Sequence, residues 1–398
     1  MVIPGVRFKR ELVFGPLMEE IDVMICEDFK LAFPRWIPGN FYTLKNLKVA
    51  KLSEVFLCAI RESVSLPNVE ILQLSFVEFK DFESLGRLIS GCPVLRTLHL
   101  EICRPSYDWY KSYGEHIIEV SLPCLKNLKI TDSDRCNVPM CSFVMEAPNL
   151  EDLYLEQFAD LQVKGSGPLS RLHSARVGAR ELCRSSYHDL IRLAQLSNAK
   201  QMSLSGHTLS HLFVVDEYVR LPVFPKLTCL TIEMGGSSWV LHSLLNSVPN
   251  LQSLVIDLNI TATMMWESLE GACTPQCLLS SLEEIEVKQL VGFNDEKRII
   301  AYFLKAGAVL KKVNMHVHQA FHHITSRKDL VSLLKPSRGS RACEACLFFL
   351  NGERVYSDND DDQSNTDDDI DDDSNGSDDE SDSSAVRRGF SFVWARKL

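Results

Sequence analysis

Cysteine and histidine side chains near the end of the chain have a spacing that could bind a metal ion. Cys343 and Cys346 form a C-x-x-C pair. The histidines that precede this pair are His316, His318, His322 and His323. A zinc site needs four nitrogen or sulfur ligands that converge tetrahedrally. Because a C-x-x-C pair without a second cysteine pair is a weak signal, we interpret the cysteines as structural and predict no metal site.

Motifs for catalysis or cofactor binding are not found in the sequence. It contains no Gly-x-x-x-x-Gly-Lys loop, no dinucleotide-binding glycine pattern, no His-Glu-x-x-His and no Gly-x-Ser-x-Gly. A catalytic site assembled from distant residues would leave no such motif. On pattern alone, we predict a protein that is not an enzyme and uses no cofactor.

Charge is distributed unevenly along the 398 residues, whose formal net charge is −11. Ser357–Asp382 contains 14 acidic and no basic residues, whereas residues 1–356 contain 38 basic and 39 acidic ones. The nearly neutral body gives no electrostatic reason to expect nucleic acid or a membrane as partner. The acidic tail, 351–398, has a basic and aromatic end and too few apolar residues for a core, so we predict that it is disordered.

Within this tail, Ser377 is followed directly by three acidic residues. That context fits phosphorylation by an acidophilic kinase, and an inert solvated tail is the alternative. The 13 cysteines and the charged N-terminus, which does not read as a secretory signal, indicate reduced thiols in a cytoplasmic or nuclear protein.

One short phrase recurs along most of the chain. It reads CPVLRTLHL at Cys92–Leu100, LPCLKNLKI at Leu122–Ile130 and VPNLQSLVI at Val248–Ile256. We place the first apolar position of the phrase at Met18, Leu44, Val69, Leu95, Leu125, Leu150, Leu172, Ala199, Leu227, Leu251, Leu282 and Leu310. Apolar residues return three and five positions later in most copies. An L-x-x-L-x-L phrase with a period of about 20–29 residues is typical of a leucine-rich repeat.

The elements that this phrase predicts follow from the alternation of strand side chains. Its apolar residues share one face of a short strand, and a single coil cannot bury that face alone. We therefore predict an α/β leucine-rich-repeat solenoid, with parallel strands on the concave face and helices such as Asp81–Ser90 and Ser238–Ser247 on the convex face. The predicted core includes Leu98, Leu100, Leu128, Ile130, Leu153, Leu155, Leu254 and Ile256.

The N-terminal end of the solenoid is expected to be poorly covered. Only residues 1–17 precede the first phrase. A solenoid needs a capping unit at each end. We therefore expect Ile21 and Val23 to be exposed.

Residues in the middle of each strand are predicted to face outwards from the concave surface. At the fifth phrase position, four successive copies carry His99, Lys129, Tyr154 and Arg176, and the second copy carries Lys48. Arg and Tyr are over-represented among interface hot spots. We predict that these four successive residues bind a protein partner. An ordinary solvated face is the alternative interpretation.

The repeats and the region after them resemble a known family. FYTLKNLKVAKL and LISGCPVLRTLHLEIC resemble the repeats of plant F-box/FBD/leucine-rich-repeat proteins, and Cys277–Val317 resembles the FBD domain. The resemblance implies a lead-in at 1–17, repeats at 18–264, an FBD domain that continues the solenoid at 265–350, and the tail.

The resemblance also implies a function. In this family the repeats are thought to capture a protein for ubiquitination, and an N-terminal F-box docks on the adaptor of an SCF-type ubiquitin ligase. Since the residues before Met18 do not read as an F-box, we expect this chain alone not to bind the adaptor. The resemblance thus predicts the substrate-recognition part of an SCF-type receptor. The alternative is a stand-alone or competing binder outside a ligase.

Overall fold

The structure is a computed structural model that describes most of the predicted repeats. The described residues are 14–24, 36–57, 64–79, 81–101, 104–105, 116–131, 141–156, 161–164, 168–178, 193–206, 208–209, 221–234, 236–258, 264–265, 273–291, 293–318, 338–349 and 354–357. The chain divides into two units, Met1–Asp360 and Asp361–Leu398. All described elements belong to the first unit. The predictions about Ser377 and tail disorder fall outside the described residues.

The described part of the chain contains many short strands and few helices. The strands are β1 (Glu20–Met24), β2 (Trp36–Ile37), β3 (Val49–Ser53), β4 (Phe56–Leu57), β5 (Ile71–Ser75), β6 (Glu78–Phe79), β7 (Thr97–Glu101), β8 (Arg104–Pro105), β9 (His116–Ser121), β10 (Asn127–Thr131), β11 (Cys141–Glu146), β12 (Asp152–Glu156), β13 (Leu161–Val163), β14 (Ser174–Gly178), β15 (Gln201–Leu204), β16 (Cys229–Met234), β17 (Gly236–Ser237), β18 (Ser253–Leu258), β19 (Met264–Met265), β20 (Glu284–Leu290), β21 (Lys312–Val317), β22 (Glu344–Phe349) and β23 (Arg354–Ser357). The helices are α1 (Phe82–Ser90), α2 (Ser238–Asn246), α3 (Gln276–Ser280), α4 (Asn294–Ala306) and a 3₁₀ helix (Gly39–Thr43).

One long sheet runs through the described repeats. Its strand order is β1-β3-β5-β7-β10-β12-β14-β15-β16-β18-β20-β21-β22-β23. Pairing is parallel from β1 to β22, and β23 returns antiparallel to β22. Equivalent phrase positions lie side by side, so that Leu98 neighbours Leu128 and Leu128 neighbours Leu153. This register confirms the predicted leucine-rich-repeat solenoid.

The core lies along one side of this sheet. All eight predicted core residues are buried there, and the most exposed of them, Leu155, keeps only 8% of its surface accessible. Burying a leucine side chain completely contributes roughly 1.5–3 kcal/mol. The alternating burial of each strand therefore holds the long sheet against the coil interior. The other side of the sheet, which we call the open face, carries the intervening residues.

The predicted register of the second repeat is wrong by three residues. Strand β3 places Ala50 beside Ile21, so the phrase begins at Leu47 rather than at Leu44. The stretch TLKNLKVAKL offers two overlapping L-x-x-L spacings. The later one is adopted because only it gives the alternation Ala50-x-Leu52 inside a strand. Lys51, and not Lys48, therefore lies in the middle of the open face.

The expectation of an exposed N-terminal end is also wrong. Ile21 and Val23 are 1% and 5% exposed. Phe14 is buried in the same cluster, and its ring centroid lies 5.9 Å from that of Phe41. Asn40 Nδ2 donates a hydrogen bond to the Phe14 carbonyl at 2.9 Å. A short segment thus covers the first coil because one aromatic side chain is directed inwards.

The segments that connect the strands of the long sheet contain both helices and short strands. The two predicted helices are present as α1 and α2. Asp81 caps α1, since its carboxylate accepts a hydrogen bond from the Ser84 backbone N–H at 2.7 Å. Three small sheets accompany them, β2-β4-β6-β8, β9-β11-β13 and β17-β19. In β9, buried Ile118 alternates with exposed Ile117, a period of two that favours a strand over a helix.

Asparagine side chains connect successive coils just before the phrase begins. Asn149 Nδ2 donates to the Pro123 carbonyl one coil earlier, at 2.6 Å, and Asn250 donates to Pro225 at 2.8 Å. Equivalent bonds run from Asn46 to Pro16, from Asn68 to Lys45 and from Asn198 to Leu169. We call this set the asparagine ladder. It satisfies carbonyls at the chain turns that enter the long sheet.

The sheet is continuous across the boundary predicted between the repeats and the FBD domain. Strand β18 precedes residue 264, β20 follows it, and the two pair in parallel. In α4, the buried Glu296 carboxylate accepts hydrogen bonds from the backbone N–H groups of Val291 and Phe293 at 3.0 and 3.1 Å. The domain limits themselves stay predictions.

Candidate protein-binding surface

The open face brings the four predicted binding residues together. Tyr154 is paired in register with Lys129 on β10 and with Arg176 on β14. His99 on β7 is paired with Lys129 in turn. The four side chains therefore form a continuous row across β7, β10, β12 and β14, about 4.8 Å apart from strand to strand. Their location agrees with the prediction, and their role in binding stays a prediction.

Tyr154 lies between two cations in this row. Lys129 Nζ is 5.1 Å from the centre of its ring, and Arg176 Cζ is 5.2 Å from it. Both contacts are within the range of cation–π attraction, which stabilises exposed pairs by about 0.5–1 kcal/mol each. The ring is therefore held in place before any partner binds, which reduces the conformational entropy that this side chain loses on binding.

The polar ends of Tyr154 and Arg176 contact carboxylates on the same face. The Tyr154 hydroxyl donates a hydrogen bond to the Glu156 carboxylate. Burial, and then this hydrogen bond, raises the pKa of Tyr154, so the phenol stays neutral. Arg176 Nη2 lies 3.8 Å from Glu233 Oε1 across the intervening strand β15. Glu156 and Glu233 were not predicted from the sequence, although both lie two residues after the middle of their strands.

His99 is partly buried in the row, with 19% of its side chain exposed. Burial, and then the neighbouring Lys129 charge, lowers the pKa of His99, while Glu101 opposes this effect. Its Nε2 atom lies 4.0 Å from Glu101 Oε2. Among the described residues, neither His99 Nε2 nor Thr131 Oγ1 on the neighbouring strand has a hydrogen-bond partner. Within the described part of the chain, two polar atoms are thus buried here without a hydrogen-bond partner.

A second cluster lies on the open face near the C-terminal end of the long sheet. His316 Nε2 lies 3.2 Å from Glu286 Oε1, and the His316 ring stacks on Phe348 with centroids 5.2 Å apart. Lys288 Nζ is 3.7 Å from the same Glu286 oxygen. Sequence reasoning considered His316 only as a metal ligand and did not find this cluster.

In the C-x-x-C pair, Cys343 directly precedes β22 and Cys346 lies within it, and both are buried. Cys346 Sγ donates to Glu344 Oε1 at 3.4 Å. His322 and His323 lie outside the described residues. Within the described part of the chain, no three His, Cys, Asp or Glu side chains are grouped so that they could hold a metal ion. The described helices also include none that is both long and apolar enough to span a bilayer.

Comparison with known proteins identifies two regions of the chain. Residues 270–315 match the family model for FBD. Residues 18–177 match the model for the leucine-rich repeats of the FBD-associated F-box protein At5g56370. No solved structure matches the chain.

Similar whole proteins come from Arabidopsis thaliana. The putative F-box/FBD/LRR-repeat protein At1g66300 is 29% identical over 328 residues, which cover 78% of this chain and 68% of the relative. The FBD-associated F-box protein At5g22730 is 29% identical over 323 residues, with coverage of 77% and 68%. Repeats, FBD region and relatives thus agree, and the chain belongs to the plant family of F-box/FBD/leucine-rich-repeat proteins.

Proposed function

We propose that this chain captures a protein partner on the open face of its long sheet and serves as the substrate-recognition part of an SCF-type ubiquitin ligase receptor. The observation that carries the binding site is the row of Lys129, Tyr154 and Arg176 on three adjacent strands. The proposed role is binding and not catalysis. We place it in the cytoplasm or nucleus, with neither nucleic acid nor a membrane as partner.

The chemistry of the row supports a protein partner. Aromatic and arginine side chains dominate the energy of many interfaces, because they bury a large area and keep polar ends for hydrogen bonds. Tyr154 is already held between two cations, so little side-chain entropy remains to be lost. A parallel-sheet solenoid presents such a row as an extended surface, which suits a protein segment better than a small molecule.

Support for the ligase role comes from the family. The relatives are named F-box/FBD/LRR-repeat or FBD-associated F-box proteins, and the resemblance implies that an F-box connects such repeats to the ligase adaptor. Capture on the repeats and delivery through the adaptor would then be separate tasks of one receptor.

A photo-crosslinking experiment tests the binding site. Tyr154→p-benzoylphenylalanine places the crosslinker in the row, and Trp239→p-benzoylphenylalanine places it on α2, where Trp239 is 44% exposed. Both tagged chains are expressed in plant cells and irradiated. We expect a protein that is crosslinked only from position 154 and is displaced by excess untagged chain. Equal crosslinking from both positions would contradict the proposed site.

The ligase role is tested separately by immunoprecipitation of the complete gene product. We expect the adaptor to co-purify, and the crosslinked protein to accumulate as ubiquitin conjugates when the proteasome is inhibited. Capture of the same protein without adaptor or conjugates would support the stand-alone binder instead.

A further inference from the structure

We infer that the partner presents an aspartate or glutamate carboxylate to Lys129, beside the ring of Tyr154. This inference rests on the proposed function and specifies the chemistry of the same face. It assigns the ionic contact to one residue of the row and excludes Arg176 from that role.

The first argument is that the charge of Lys129 is not compensated within the described structure. Three other cations of the long sheet have carboxylate partners. Lys51 lies 3.6 Å from Glu20, Arg176 lies 3.8 Å from Glu233, and Lys288 lies 3.7 Å from Glu286. For Lys129, the described residues provide the Tyr154 ring but no carboxylate within ion-pairing distance. The strongest unused attraction for an anion on this row is therefore at Lys129.

The second argument comes from the polar atoms beside Lys129. His99 lies opposite Lys129 on the neighbouring strand β7, and Thr131 lies two residues after Lys129 on β10. Neither His99 Nε2 nor Thr131 Oγ1 has a hydrogen-bond partner among the described residues. A buried polar atom without a partner destabilises the fold, because it has lost its hydrogen bonds to water. A carboxylate seated on Lys129, together with the water that it orders, brings hydrogen-bonding atoms to this point. The charge of Lys129 and the two polar atoms without a partner thus both indicate that the carboxylate binds at Lys129.

The third argument favours a carboxylate over a phosphoryl group. Glu101 and Glu156 lie opposite Thr131, and Asp152 lies opposite Asn127, so that each carboxylate on β7 and β12 is two strand positions away from the level of Lys129. A phosphoryl group carries about 1.5–2 negative charges at neutral pH and would be repelled by these three carboxylates more strongly than a single carboxylate would be. One uncompensated ammonium group balances one carboxylate.

A peptide-binding experiment on the full chain tests the inference without knowledge of the natural partner. The probe is a short fluorescein-labelled peptide with one glutamate beside one tyrosine in an otherwise uncharged sequence, followed by fluorescence anisotropy at about 50 and 150 mM salt. The net charge of the chain is −11, so overall charge does not attract this probe. Lys129→Gln removes the ionic contact and Lys129→Arg restores it. Lys312→Gln is the matched control, because Lys312 is an exposed cation of the same sheet that lies between Glu284 and Glu344.

We expect saturable binding that weakens with salt. Lys129→Gln should reduce affinity about two- to fivefold, the range for an exposed ion pair, and should flatten the salt dependence. Lys129→Arg and Lys312→Gln should bind like the original chain. Equal binding by Lys129→Gln and the original chain would overturn the inference. So would binding of the matching phosphoserine peptide but not of the glutamate peptide. Either result would leave crosslinking from position 154, and hence the proposed function, intact.

Discussion

We predict that each hydrogen bond of the asparagine ladder stabilises the packing of two neighbouring coils. Asn149 is half-buried, and its Nδ2 atom lies 2.6 Å from the Pro123 carbonyl oxygen. A neutral hydrogen bond contributes about 0.5–1.5 kcal/mol net to stability. Asn149→Ala should therefore lower the free energy of unfolding by about 1 kcal/mol. Asn149→Asp should cost at least as much, because a carboxylate keeps the shape but cannot donate to Pro123.

The assay is amide hydrogen exchange, since a solenoid opens locally and each coil contacts only its neighbours. A loss of about 1 kcal/mol corresponds to roughly fivefold faster exchange. The faster exchange should be confined to peptides that contain β10 and β12, while β18 and β20 keep their rates. The reverse change, Cys124→Asn, introduces the ladder residue one coil earlier, where the Pro93 carbonyl is the expected acceptor, and should slow exchange there. The reasoning is refuted if Asn149→Asp exchanges like the original chain.

Three further predictions concern the core, pH and cysteine reactivity. Leu153→Ala removes a side chain that is 4% exposed and should lower the free energy of urea unfolding by roughly 2–5 kcal/mol; a loss below about 1 kcal/mol would contradict the register. Burial and Lys129 lower the pKa of His99 from 6.5, so the unfolded chain binds its proton first and stability falls as pH drops below 6.5. In the His99→Gln variant, the free energy of unfolding should therefore decrease less between pH 8 and pH 5 than in the original chain, as measured by urea unfolding at each pH. Burial raises the pKa of Cys92 to about 12, so iodoacetamide should label exposed Cys124 in the native chain and Cys92 only after unfolding; labelling of both at equal rates would contradict this.

The strand register could be predicted wherever only one L-x-x-L-x-L spacing was present. The copies around Leu98 and Leu254 satisfy this condition, and their inward side chains are buried as expected. The second copy contains two overlapping spacings. Which of them forms the strand depends on pairing with β1 and β5, and the sequence of β3 alone does not specify that pairing. Asn46 carried an unused signal, because the ladder places asparagine directly before the first apolar residue, here Leu47.

The candidate site was predicted in part. Alternation within each strand placed His99, Lys129, Tyr154 and Arg176 on one face, because strand side chains alternate regardless of neighbours. The contact of Arg176 with Glu233 could not be found, since it spans two strand spacings, with Ser203 on the strand between them. The sequence also could not show that Thr131 Oγ1 has no hydrogen-bond partner among the described residues, because this depends on which side chains the neighbouring strands place beside it.

The hairpin at the C-terminal end of the long sheet has a consequence for how copies of the chain can associate. Only residues 350–353 separate β22 from β23, and the two strands pair antiparallel. Four residues are too few for another coil, so β23 extends the hydrogen-bonded sheet without a further repeat between it and β22. Within the described part of the chain, a second molecule that approached this edge with its own β1 would meet backbone hydrogen-bonding groups but no further apolar coil. A reversed last strand therefore acts against head-to-tail fibre growth, the association to which a solenoid with two identical parallel ends is most prone.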